Sequence, residues 1–239
     1  MMNMFMENSN DKKRGRPAGR TQEGEKTRTH LYQTAIALIS EVGYESATLR
    51  EVARRANVSL GLLYRYFPNK RAIVLALYDE LSDQFAQRAE SLPSGKWDAR
   101  FLDTLNLSLE VLHPHRVTLR ALAPVMVGDT SEGVFAENTE FSRSRVLLAF
   151  QNAVRQATNA PSWTLVDPMG RLLYLLHLAV LLWWLLDKSP AQKATTGLVQ
   201  LFGKTLPLFS VALRLRPIQN SIIAADQLFR DAILSSKVE

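Results

Sequence analysis

Cysteine is absent from all 239 residues, which excludes disulfides, thiolate metal sites and a cysteine nucleophile and suits a reducing compartment. Histidine is scarce, with four residues: His30, His113, His115 and His177 lack metal-site spacing, and the nearest to a pair, His113-Pro-His115, carries a proline that marks a turn. No phosphate-binding loop or glycine-rich dinucleotide turn occurs. No motif therefore proposes an enzyme, and no cofactor or metal is expected. Strand alternation and internal repeats are also missing. The most apolar run, residues 172–186, is interrupted by His177 and falls short of the roughly 20 residues that span a bilayer. It reads as a buried helix rather than a membrane contact. The N-terminus opens with methionine and asparagine and then becomes charged, without the apolar core of a signal peptide. A cytoplasmic protein is expected.

What is present is ample hydrophobic content, 46%, enough for a folded core in one large or two modest domains. The net charge of +6 is unevenly placed: residues 1–70 hold twelve Lys/Arg against seven Asp/Glu, and residues 71–239 hold seventeen against sixteen. A basic excess confined to one end suits a polyanionic partner, because each neutralised phosphate releases condensed counterions.

Residues 1–24 read as a flexible basic arm without apolar periodicity. Within it, Arg14-Gly-Arg-Pro17, followed by Arg20, resembles an AT-hook. Glycine lets such a backbone sink into a narrow A·T-rich minor groove, where Arg14 and Arg16 would meet enhanced negative potential. The plainer alternative is a solvated tail.

Over residues 27–42 apolar residues recur at helical spacing (Leu31, Ala35, Leu38, Ile39, Val42), and Gly43 follows as a stop. Thr48-Leu-Arg-Glu51 has the form of a capping box opening a second helix through Ala56. Asn57-Val-Ser59 turns into a third, which Ser59 caps and Pro68 ends. Barely two turns long, this helix must be held by packing. Val52, Ala53, Val58, Leu62 and Phe67 are expected in the core. Leu60, Gly61, Leu63, Tyr64 and Tyr66 are left for an outer face with almost no acid. Two short capped helices joined by a tight turn make a helix-turn-helix, the second sized for the major groove.

With these features, residues 27–77 resemble the DNA-binding domain of the TetR family of transcriptional regulators. The matching residues are Ala35, Gly43-Tyr44, Thr48, Glu51-Val-Ala53, Val58-Ser59, Gly61, Leu63-Tyr64, Tyr66-Phe67 and Lys70. Asn57 stands where the family commonly has glycine, and asparagine tolerates left-handed backbone. Leu60 stands at a position often polar, which points to a thymine methyl rather than a hydrogen bond. The resemblance implies that Thr48, Tyr66 and Lys70 meet phosphate and that Gly61 permits close approach. Tyr64 would pack against the backbone or a base step, and Arg50 would read a base edge. Ser59, Leu60 and Leu63 complete the expected DNA face. An all-α, TetR-like fold follows: a three-helix helix-turn-helix domain over residues 25–75 and a helical effector-binding and dimerisation domain over 76–239.

Asn69 is expected to cap a long helix over 70–91, with Ile73, Leu77, Leu81 and Phe85 on one face. Further helices are expected over 97–112, 115–127, 138–158, 168–186 and 190–213. The last two have start signals in Asp167-Pro168 and Ser189-Pro190. Both are too broadly apolar for one packed face. The resemblance implies that they build a four-helix homodimer interface, placing two recognition helices on a near-palindromic double-stranded operator. It also implies a repressor released by a small, hydrophobic effector in a pocket lined by Phe101, Leu105, Leu109, Leu122, Met126, Phe150, His177 and Trp183. The rival expectation is a nonspecific, architectural DNA binder that uses the arm alone.

Overall fold

A computed structural model describes residues 21–234. Arg14, Arg16 and Arg20, and with them the AT-hook reading, lie outside the described residues. Among those described, every regular element is helical: α1 (Gln22–Val42), α2 (Leu49–Arg55), α3 (Leu60–Tyr66), α4 (Lys70–Ala89), α5 (Trp97–Leu112), α6 (Arg116–Gly128), α7 (Glu140–Arg155), α8 (Trp163–Leu186), α9 (Lys193–Ala212) and α10 (Arg216–Phe229). The fold is all-α and TetR-like, one long and two short N-terminal helices leading into a helical body.

Local signals set most of the early boundaries. Thr21 Oγ1 accepts from Gly24 N–H at 3.1 Å, so α1 starts before the expected residue 27 and takes in residues 22–24, assigned above to the arm. Gly43, at φ 84, donates its N–H to Ile39 O at 2.9 Å and ends the helix. Its left-handed backbone would strain any side chain. Asn69 Oδ1 accepts from Ala72 N–H at 2.9 Å and opens α4, whose Ile73, Leu77, Leu81 and Phe85 are all buried.

In the body, α4, α5, α7 and α8 pack around Phe150, whose ring lies 4.7 Å from that of His177, 5.9 Å from Phe101, 6.2 Å from Phe85 and 6.4 Å from Tyr174. Helices α7 and α8 approach closely because Gly170 has no side chain: a Cβ there would sit 2.7 Å from Gln151 Cα. Arginines close the ends of several helices. Arg100 donates to Pro93 O (2.6 Å), Ala153 O (3.2 Å) and Gln156 Oε1 (3.0 Å). Arg116 donates to Trp184 O (2.9 Å) and Asp187 O (2.8 Å), carbonyls at the end of α8. Arg171 holds α10 to α8 through both oxygens of Asp226, at 2.5 and 2.8 Å.

Two expected starts differ from the structure. Asp167-Pro168 does not open a helix. α8 begins at Trp163 and runs 24 residues with Pro168 inside it, one missing backbone hydrogen bond being tolerated where packing holds the segment. By length and composition α8 is therefore long enough to cross a bilayer, contrary to the shorter run read from sequence, and half of its apolar window is buried against the rest of the chain. After Ser189-Pro190 comes a single 3-10 turn with left-handed Ala191 and Gln192. Helix α9 begins only at Lys193, with Ser189 Oγ accepting from Ala194 N–H (2.9 Å) and Asp187 from Thr195 N–H (2.9 Å). The end of α8 and the length of α9 leave large apolar side chains in the open, among them Leu182, Trp183, Leu186, Leu201, Leu208 and Phe209.

Candidate functional site

The α2–turn–α3 unit is built from its caps outward. Thr48 Oγ1 accepts from Glu51 N–H at 3.2 Å and Ser59 Oγ from Leu62 N–H at 3.1 Å. The capping box is half closed, since the Glu51 carboxylate turns to Arg54 (2.7 Å) and Arg55 (2.9 Å) instead of reaching back. Those guanidiniums hold it at about 2, well below the ordinary carboxylate range. Between the helices Asn57 takes the left-handed backbone, φ 53.

The inward stripe of α3 is Leu60, Leu63 and Phe67. Leu63 and Phe67 are fully buried and Leu60 is half-buried against them. This corrects the expected phase, which put Leu62 inside and Leu63 on the DNA face. The spacing from Val58 to Leu62 crosses the non-helical Ser59, so the stripe must be counted from Leu60. Leu63 is a core residue, its burial alone contributing about 2 kcal/mol, and Leu62 is only partly buried on the outer side.

The outer surface then carries Gly61, Leu62, Tyr64 (47% exposed) and Arg65, beside Thr48 and Arg50 from α2. A Cβ at Gly61 would meet nothing within 4 Å, so the fold itself does not need glycine there. Tyr66 packs partly into the core. Arg54 and Arg55 are spent on Glu51 and Glu41. Arg50 and Arg65 are exposed with no ion-pair partner among the described residues. Arg65 was missed in the sequence, although its spacing of three from Leu62 and four from Gly61 sets it on their face. Lys70 is turned inward, contrary to its expected place at phosphate. Its Nζ donates to Tyr44 O at 2.5 Å and lies 4.1 Å from the centre of the Tyr44 ring.

A polar seam joins this unit to the body. Ser40 on α1 meets Thr118 on α6 at 2.5 Å. Tyr44 donates its hydroxyl to Glu132 at 2.6 Å, and Arg71 on α4 donates to the same carboxylate at 3.2 Å. Burial, with the Glu132 carboxylate beside it, raises the Tyr44 phenol above its ordinary range, so it remains a donor. Glu132 sits in the segment between α6 and α7, beside Gly133, where a Cβ would lie 2.3 Å from Asp129 O.

The same segment walls a cavity of about 110 Å³ between α4, α5, α6, α7 and α8. Of the eight residues expected to line a pocket, Met126 and His177 do. Phe101, Leu105, Leu122 and Phe150 are fully buried packing residues behind it. Leu109 borders a separate surface cleft near Trp184, and Trp183 faces outward, 50% exposed. The lining missed in the sequence includes Tyr78, Ser108, Arg143 and Tyr174. His177 Nε2 and Ser108 Oγ lie 2.8 Å apart, while His177 Nδ1 and the Tyr78 hydroxyl are buried without a partner among the described residues. Burial pushes His177 down to about 3, so its ring is neutral at physiological pH.

Comparison with known proteins agrees with this geometry. Residues 31–77 match the family of bacterial regulatory proteins, tetR family. The HTH-type transcriptional regulator BetI of Cronobacter sakazakii is 29% identical over 98 residues, 39% of this chain and 48% of that protein. The HTH-type transcriptional repressor KstR of Rhodococcus jostii is 35% identical over 66 residues, 28% of this chain and 31% of that protein. The chain thus spans between about a third and a half of the length of these curated relatives. Among solved structures, a tetR-family transcriptional regulator from Streptomyces coelicolor superposes with a TM-score of 0.58 at 22% identity, covering 85% of this chain and 89% of that one.

Proposed function

We propose, from the match of residues 31–77 to the bacterial regulatory proteins of the tetR family, that these residues form a DNA-binding domain and that the whole chain is a transcriptional regulator that binds an operator as a homodimer and is released by a small ligand. It works inside the cell and carries out no catalysis of its own. The observation that carries this reading is the outer surface of α2 and α3: two arginines without an ion-pair partner among the described residues, an exposed tyrosine, and a glycine that the fold does not require. Arg50 is placed to bond guanine in bidentate fashion and Arg65 to neutralise phosphate, while Leu62 takes the methyl-contact role first given to Leu60. Thr48 combines its cap with a phosphate contact. Repression follows the KstR relative's name. A nonspecific binder using the arm alone would leave this surface without a task.

Dimerisation fits the apolar surface that α8 and α9 leave uncovered, since an exposed patch of that kind marks a contact site. The division at about residue 75 makes α4 the connector. Release by ligand is supported by the placement of Glu132, which holds Tyr44 and Arg71 from one side of a short segment whose other side walls the cavity. A ligand that moves this segment alters the seat of the reading unit, and its effect is limited to its differential affinity for the two arrangements.

Selection of bound fragments from genomic DNA tests the proposal. A single near-palindromic motif, bound by a dimer, is the expected outcome. Enrichment of no motif beyond A·T content would replace the regulator by the architectural reading.

A further inference from the structure

A second cavity, of about 220 Å³, adjoins the first, and the two share Met126, Val134, Leu178 and Leu181 as a common wall. They differ in chemistry. The second is lined otherwise by apolar side chains such as Phe135, Ala179 and Leu182, and the exposed Leu182 marks its outer rim. The first holds a guanidinium, Arg143. One of its amino groups donates to Val134 O at 3.2 Å and Ala136 O at 3.0 Å. Its remaining donors meet no acceptor, and no carboxylate lies within ion-pair distance of it, among the described residues. The acids nearest that wall are occupied: Glu132 by Tyr44 and Arg71, Asp129 by Ser131 and the Glu132 N–H. Tyr78 and His177, both on the wall of the same chamber, each bury a polar atom, the hydroxyl and Nδ1, that has no partner among the described residues. Buried polar atoms without partners are costly, and a ligand oxygen would relieve that cost.

Taken alone, neither cavity reaches the roughly 300 Å³ at which small-molecule sites begin; joined, they do. The wall between them includes Met126, an unbranched thioether that changes shape at little cost.

We infer that the two cavities are one site for an amphipathic carboxylate, its anionic head against Arg143 and the Tyr78 hydroxyl and its apolar chain passing Met126 into the second cavity. This rests on the reading of the body as the effector domain. A guanidinium with unspent donors favours a carboxylate over an alcohol by charge-assisted hydrogen bonding and disfavours an amine.

Calorimetric titration of the full chain with decanoate, decanol and decylamine tests it. Decanoate is expected to bind at least about tenfold tighter than decanol, and decylamine weakest, from the strength of charged hydrogen bonds. Arg143→Gln should erase the margin between decanoate and decanol while leaving decanol binding intact. Arg143→Lys, which keeps the charge, should retain part of the margin and serves if the first variant fails to fold. Ala179→Trp, made from an exposed position, should weaken decanoate far more than butyrate. Equal binding of decanoate and decanol, or a margin that survives Arg143→Gln, overturns the head assignment while the effector domain stands. Unchanged decanoate binding in Ala179→Trp overturns the path of the chain. Failure of all three probes to bind a protein that still retains operator DNA removes the effector reading along with the ligand class.

Discussion

Arginine does opposite work in the two halves of this molecule. In the body, Arg116 directs its donors at backbone carbonyls, Arg100 at two backbone carbonyls and the Gln156 side chain, and Arg171 meets a buried carboxylate. Each fixes one helix against another. In the N-terminal unit, Arg54 and Arg55 are taken up by Glu51 and Glu41, and Arg50 and Arg65 are exposed with no ion-pair partner among the described residues. The residue type is the same; what separates framework from interface is whether the donors are already used. Arg143 stands between the two classes, one amino group committed to the framework while the residue itself lines a cavity.

This contrast can be broken by substitution. The largest effect is expected at Arg100. Replacement by methionine leaves the buried Ala153 O without its partner and removes the ties to Pro93 O and Gln156, and should cost about 3 kcal/mol, read by denaturant unfolding. Arg50→Ala and Arg65→Ala should do the reverse. Stability should stay within about 0.5 kcal/mol, while operator affinity falls by roughly 1–3 kcal/mol for Arg50→Ala, with relaxed discrimination at one base pair. Arg65→Ala should weaken all sequences alike and lower the salt slope by about 1. Should either of these variants unfold the protein, or Arg100→Met spare it, the division fails.

The histidine in the cavity gives a third test. Its folded value of about 3 lies below the ordinary 6.5, so the unfolded chain takes up a proton that the folded one refuses. Stability is complete above pH 6.5 and is lost as pH falls below it, at up to about 1.4 kcal/mol per pH unit. His177→Gln should flatten that acid limb of the unfolding curve. The smallest effect is the most diagnostic of interface against framework: Gly61→Ala should raise stability by up to about 1 kcal/mol, because alanine is the better helix former. The same change should weaken operator binding, because its methyl stands where DNA must approach. A gain in both, or a loss of stability, would mean that Gly61 belongs to the framework.

Features set by a few adjacent residues were legible in the sequence. Thr48, Ser59 and Asn69 cap their helices as expected, because a cap needs only a hydroxyl or amide and an N–H three residues on. The apolar stripe of α4 was equally plain. The phase of α3 was misjudged by one residue, at Leu62 and Leu63, because a stripe cannot be counted through a non-helical cap. Glu51 was misread because two arginines one turn on compete for its carboxylate. Lys70 was misread because its target, a carbonyl 26 residues away, is visible only once α1 and α4 are placed. The cavity was least legible. Phe101, Leu105 and Phe150 are as apolar as Leu119 and Leu181, and only the rotation of five helices about one another decides which of them border space. Trp183 and Trp184 differ by a single residue, yet one is half exposed and the other buried.

The most direct measurement is the ratio of affinities for a selected operator and for scrambled DNA of the same composition, at about 0.15 M salt, in the wild-type chain and in Arg50→Ala. The wild type should prefer the operator by at least about a thousandfold, and Arg50→Ala should cut that preference by tenfold or more at unchanged stability. Equal affinity for the two DNAs, or a preference untouched by Arg50→Ala and Arg65→Ala together, would contradict the assignment of the α2–α3 surface as a base-reading interface.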